Sequence, residues 1–199
     1  MSAHYIIDEK GQILQLVPDE KCAWHAGKSA WHELLSLNKH SIGIELCSLS
    51  LGQNRYSKKQ ISALIELLRT LCEKHKILPQ NILGHSDVAP NRKPDPGKAF
   101  PWKELAQHNL GLWYDATKVA TDDLQKCLQI IGYDITDMPA AICAFCRHFY
   151  PSKINKDKDI YKVLDNPVQR DIVIDSRLKN RIKAVAYAYE QASKKPCKM

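Results

Sequence analysis

The stretch Gly84-His85-Ser86-Asp87-Val88-Ala89-Pro90-Asn91-Arg92-Lys93-Pro94-Asp95-Pro96-Gly97 constrains this chain more than any other. Pro90, Pro94 and Pro96 fix their own φ angles and push the residues before them into extended conformations, so Lys93 and Asp95, two apart, should point the same way. The apolar run Ile82-Leu83 just upstream predicts a buried strand that delivers His85 to the loop, where scaffolds place reactive groups. An imidazole, a carboxylate and an ammonium then share a small space. A zinc ion held by His85 and Asp95, with Lys93 neutralising charge on a substrate oxygen, would use all three. Asp87 competes with Asp95 for the carboxylate role; otherwise it serves as an acceptor behind the site or as a turn cap.

Upstream, His4-Tyr5-Ile6-Ile7 and Gln12 to Val17 flank a turn ending in Gly11, which predicts a β-hairpin. Trp24-His25-Ala26-Gly27 falls in a loop after Pro18. His25 is either a structural, hydrogen-bonded histidine or, with Trp24, one wall of a substrate groove. Ser41 to Cys47 reads as a strand apolar on both faces, hence central in its sheet. A glutamate inside such a run is costly to bury without a partner or a task, so Glu45 is either a salt-bridged structural carboxylate or a catalytic one. Ser57-Lys58-Lys59-Gln60 has the form of a capping box, and Ile61, Leu64, Ile65, Leu68, Leu71 and Cys72 follow at helical spacing. His75, in the last turn, reads as a surface residue that suits the helix dipole. Pro101 and Gly111 bracket a short helix carrying Trp102 and Leu105.

From about Asp115 the character changes. Leu124 to Ile131, a segment opened by Pro139 and carrying Ile142, Phe145 and Phe149, and a segment from a Ser176 cap through Tyr189 predict three helices. Between them Tyr150 to Asp175 reads as a long polar loop or disordered insertion. The expected fold class is α/β, a mixed central β-sheet flanked by helices in residues 1–114, followed by a small helical bundle domain in residues 115–199.

At 199 residues, 44% hydrophobic and 26% charged, the chain can bury one core and a small second domain. The net charge of +7 comes from scattered basic residues without an aromatic-interleaved stripe, which argues against a nucleic-acid partner and suits a polymer rich in carboxylates. Seven cysteines show no disulfide-scaffold spacing, and Cys143-x-x-Cys146 has no second pair, so core packing in a reducing compartment is expected. No apolar run approaches the roughly 20 residues of a membrane span, and Met1 opens no signal peptide. A cytoplasmic protein is therefore expected, or one of the cell envelope if its N-terminus lies upstream. Composition says nothing of oligomeric state.

The stretch GHSDVAPNRKPDPG, together with AWHAG (Ala23 to Gly27) and SIGIEL (Ser41 to Leu46), resembles the zinc-dependent N-acetylmuramoyl-L-alanine amidases of the AmpD/AmiD type. The likeness runs from about Ser2 to Trp113, and a weaker one to that family's helical, peptidoglycan-binding domain continues to the end. It implies hydrolysis of the amide joining muramic acid to L-alanine in peptidoglycan or muropeptides by zinc-activated water. His85 and Asp95 would be zinc ligands, Glu45 the general acid/base, Lys93 the oxyanion stabiliser, and Trp24 and His25 groove walls. The family's first zinc ligand is a histidine on a strand upstream of the segment that Ser2-Ala3-His4 resembles. The chain is accordingly expected to be a fragment of a longer amidase with an unpaired sheet edge, or a degenerate, non-catalytic binder of wall fragments; recruitment of His4 or His25 as replacement ligand is disfavoured.

Overall fold

The computed structural model describes residues 2–50, 54–155 and 171–194. Tyr5–Ile7 (β1) and Ile13–Gln15 (β2) form the expected antiparallel hairpin, with Ile6 opposite Leu14. Its turn is held by Asp8, whose Oδ1 accepts from the backbone N–H groups of Lys10 and Gln12. Ala30–Trp31 (β3) and Leu34–Leu35 (β4) make a separate two-stranded ribbon. Ile44–Leu46 (β5) runs parallel to β1, giving the mixed sheet order β2-β1-β5.

Strand β5 is therefore an edge strand, not the central one expected, and Glu45 is exposed. The reason lies in the period of two. Ile42, Ile44 and Leu46 share one face and pack on the core, whereas Gly43 and Glu45 face the other way. Glu45 aligns with Ile6 across the parallel register, on the face opposite the buried Tyr5 and Ile7.

Helix α1 (Lys58–His75) covers the apolar face with Ile61, Leu64, Ile65, Leu68 and Leu71. Ser57 caps it, accepting from the Gln60 N–H at 3.1 Å. The other half of the expected capping box does not form. Instead the Gln60 Nε2 donates to Ile7 O and Cys47 O, both at 2.9 Å, tying the ends of β1 and β5 to the helix. At its far end His75 is no simple surface residue: its Nε2 lies 2.8 Å from Asp19 Oδ2, which also takes the Lys74 ammonium. The other Asp19 oxygen accepts from the Tyr5 hydroxyl at 2.6 Å.

Beyond a 3₁₀ turn at Pro79–Asn81, Ile82 and Leu83 form no strand. His85 instead opens a one-turn helix, α2 (His85–Val88), because the Asp87 carboxylate folds back onto the Gly84 N–H at 2.8 Å and captures the chain in a turn. The proline loop then leads to α3 (Trp102–Gln107).

Three further helices follow. Asp123 caps α4 (Leu124–Ile131), and Asp137 caps α5 (Met138–Phe149), which has Pro139 in its first turn. In α6 (Ser176–Lys194) the cap is Asp175, accepting from the Leu178 N–H at 2.8 Å; Ser176 lies inside the helix. Leu128, Ile131, Phe145, Phe149, Ile182 and Val185 form a core that closes on Trp31 and Val88. Cys143 and Cys146 are buried in that core, and burial pushes the Cys146 thiol up to about 12. Most of the expected 150–175 loop lies outside the described residues, as does Cys197. No helix among the described residues is long and apolar enough to cross a membrane.

Candidate active site

A groove of about 530 Å³ runs along the free side of β5. Leu64, Leu68 and Leu71 of α1 line one part of it; His25, Glu45, Tyr56, His85 and Asp95 line another.

His85 and Asp95 meet there. The His85 Nδ1 lies 2.8 Å from Asp95 Oδ2, and the opposite ring nitrogen, Nε2, sits 3.1 Å from the carbonyl of Ala26. A carbonyl and a carboxylate both accept, so the ring is held between them and either of its nitrogens can donate. Backbone bonds fix the pair, since the Ser86 N–H donates to the Asp95 carbonyl at 2.8 Å. Burial pushes the Asp95 carboxyl up, but the His85 contact and the charge of Lys93 outweigh it and hold the group below its ordinary value.

A zinc ion would find two of its ligands here. One imidazole nitrogen and one carboxylate oxygen at bonds of about 2.0–2.2 Å on a tetrahedral ion would stand roughly 3.3 Å apart, so the side chains need part only slightly. The Ala26 carbonyl behind His85 is the kind of acceptor that fixes a ligating ring. Among the described residues no group of three or more His, Cys, Asp or Glu side chains could hold a metal. His4 is committed elsewhere, its Nδ1 accepting from the Gly43 N–H at 3.0 Å and its Nε2 donating to Lys21 O at 3.0 Å.

Glu45 faces this groove from the edge strand, near enough that its charge, after burial and Asp95, helps push the Tyr56 hydroxyl up to about 12. Tyr56 donates to Pro96 O at 2.7 Å, buttressing the residue after Asp95. Trp24 is 64% exposed, a flat apolar surface open to a ligand. His25 lies against Gly43, where an added Cβ would come within 2.3 Å of its Cγ, and its Nε2 is buried with no hydrogen-bond partner. Burial lowers its pKa.

Two residues escaped the sequence reading. Arg92 reaches from the proline loop to Lys28 O through Nε and Nη2, at 3.1 and 2.9 Å, and to Ala26 O through Nη2, clasping the segment that carries His25. Gly27, at φ +60°, makes room, since a Cβ there would lie 2.9 Å from the guanidinium. Tyr56 was missed because no local pattern marks it. Asp87 does not enter the groove; it is fully buried and bonded to Gly84, Tyr133 and His148.

A mixed sheet with a groove along its edge strand, carrying an imidazole paired with a carboxylate and a second carboxylate nearby, is an α/β scaffold whose groups suit acid–base chemistry. The chain belongs to the N-acetylmuramoyl-L-alanine amidase family, whose model matches residues 1–98. It is 36% identical to the N-acetylmuramoyl-L-alanine amidase AmiD of Escherichia coli K12, over 80% of this chain and 70% of that protein. It is 41% identical to the 1,6-anhydro-N-acetylmuramyl-L-alanine amidase AmpD of Enterobacter cloacae, over 53% of this chain and 55% of the relative, so it spans little more than half of AmpD. Among solved structures it resembles E. coli AmiD in complex with anhydro-N-acetylmuramic acid-L-Ala-D-γ-Glu-L-Lys, with a TM-score of 0.73 and 29% identity, covering 96% of this chain and 80% of that one. AmpDH3 of Pseudomonas aeruginosa in complex with anhydromuramic pentapeptide matches equally, at TM-score 0.73 and 28% identity, covering 95% and 82%.

Proposed function

We propose that this chain hydrolyses the amide between N-acetylmuramic acid and L-alanine in peptidoglycan-derived muropeptides, with zinc held at His85 and Asp95. The observation that carries the reading is the His85 Nδ1 facing Asp95 Oδ2 at 2.8 Å, with Nε2 3.1 Å from Ala26 O. Zinc, when bound there, supplies a Lewis acid that polarises the amide carbonyl and acidifies water.

The chain's own residues do the rest. Glu45, on the groove side of the edge strand, takes the proton of the attacking water and returns it to the leaving nitrogen of alanine. Lys93, whose charge is felt at Asp95, faces the oxygen on which negative charge develops. Trp24 and His25 form the wall against which the muramyl ring or stem peptide lies. Residues 1–114 would form the catalytic domain and 115–199 a helical, peptidoglycan-binding-like domain; the net charge of +7 suits a carboxylate-rich polymer. Seven cysteines without disulfide-scaffold spacing fit a reducing compartment.

The substrate in the AmiD complex sets the test. The chain is incubated with anhydro-muramyl tripeptide and free stem peptide is measured with and without a chelator. Release that stops on chelation and returns with zinc supports the proposal. Saturable binding without release would make the protein a wall-fragment binder and sink it.

A further inference from the structure

Asp87 touches no part of the proposed reaction, yet its buried carboxylate is held from three directions. Oδ2 accepts from the Gly84 N–H at 2.8 Å and from the His148 Nδ1 at 2.9 Å, and Oδ1 accepts from the Tyr133 hydroxyl at 2.7 Å. Neither ring is free to turn. His148 stacks between Trp102, at 3.8 Å and 16°, and Phe149, at 4.0 Å and 9°. Tyr133 packs edge-on against Trp31 at 5.2 Å. Both come from the helical part, Tyr133 just after α4 and His148 from α5, whereas Gly84 and Asp87 begin and brace the turn from which His85 projects. The bracket is close-fitting, since a Cβ on Gly84 would fall 2.8 Å from Pro96 and 3.1 Å from Trp102.

We propose that Tyr133 and His148 are positioning residues for the His85–Asp95 pair: gripping Asp87 from behind, they fix the first turn of α2 and so the direction in which His85 meets Asp95. A buried carboxylate accepting only from Gly84 would lack compensation for its charge. With the helical donors removed, Asp87 would seek water, the turn would loosen, and the His85 ring would lose its bearing. The helical part thus shapes the proposed metal pair, which makes the inference dependent on the zinc reading.

The test uses the full chain and two readouts. Zinc affinity is measured by competition with a chromophoric chelator, and the metal-free protein is followed by NMR for exchange of the Gly84 amide and the ring shifts of His85. Tyr133→Phe and His148→Phe each remove a donor and keep a flat ring. They should weaken zinc binding by about tenfold, speed Gly84 exchange and move the His85 signals. His148→Asn, which restores a donor near the Nδ1 position, should recover part of each effect. Variants that melt earlier but keep wild-type zinc affinity, Gly84 exchange and His85 shifts would show a merely structural role and overturn the proposal. If the unaltered chain takes up no zinc, the proposed function fails, while the Gly84 and His85 signals still judge the bracket.

Discussion

His85 and Asp95, ten residues apart in the chain, meet with Nδ1 2.8 Å from Oδ2 across the mouth of the groove. The prolines between them hold the bend that makes this meeting repeatable, because each removes a backbone torsion that would otherwise vary.

Glu45 is the residue whose loss should separate chemistry from binding. It is exposed on the edge strand, so Glu45→Gln costs little stability, and zinc uptake should be unchanged. Stem-peptide release should fall by about 10²–10⁴-fold, the usual worth of a positioned acid or base. Initial rates beside metal content check both halves; a variant that cleaves at the wild-type rate removes Glu45 from the mechanism.

Gly43 is expected to tolerate no side chain. In Gly43→Ala the new methyl would occupy the place of the His25 ring, 2.3 Å from Cγ, so the groove wall must move. Overpacking of this kind costs about 1–3 kcal/mol, read by urea denaturation. An unchanged midpoint would show that His25 is not wedged there.

Asp19 gives the fold a pH dependence. Burial raises its pKa, but hydrogen bonds from Lys74, Tyr5 and His75 outweigh that and hold the carboxyl well below the usual range. Its stabilisation is therefore complete above the unfolded value of about 3.9 and is lost as pH falls through the lower folded value. Asp19→Asn should lose about 1.5–3 kcal/mol at pH 7, and the gap to wild type should narrow as the medium is acidified below pH 4. Denaturant melts at both pH values decide it; a constant gap would mean that Asp19 acts through packing alone.

Much of the scaffold was legible because its signals are local. Ser57 ahead of the Ile61-Leu64-Ile65-Leu68 stripe marks α1, and Gly11 marks the hairpin turn. What misled was period and competition. Ile42, Ile44 and Leu46 alternate with Gly43 and Glu45, so the strand is apolar on one face and not on both. Ile82-Leu83 suggested a strand, but the Asp87 carboxylate on the Gly84 N–H turned the chain into α2. Asp175, not its neighbour Ser176, caps α6, since either residue type satisfies the pattern and only the backbone register chooses.

In the site, the sequence singled out His85 and Asp95, and the structure brings them together. It did not point to Arg92, which reaches Ala26 and Lys28 more than sixty residues away, or to the grip of Tyr133 and His148 on Asp87. Such long-range bonds leave no periodicity to find.

Calorimetric titration of zinc into the chain, beside His85→Ala and Asp95→Ala, tests the central claim most directly. The account predicts one saturable site in the unaltered chain that is lost in both variants. No uptake by the parent, or equal uptake by all three, would contradict it.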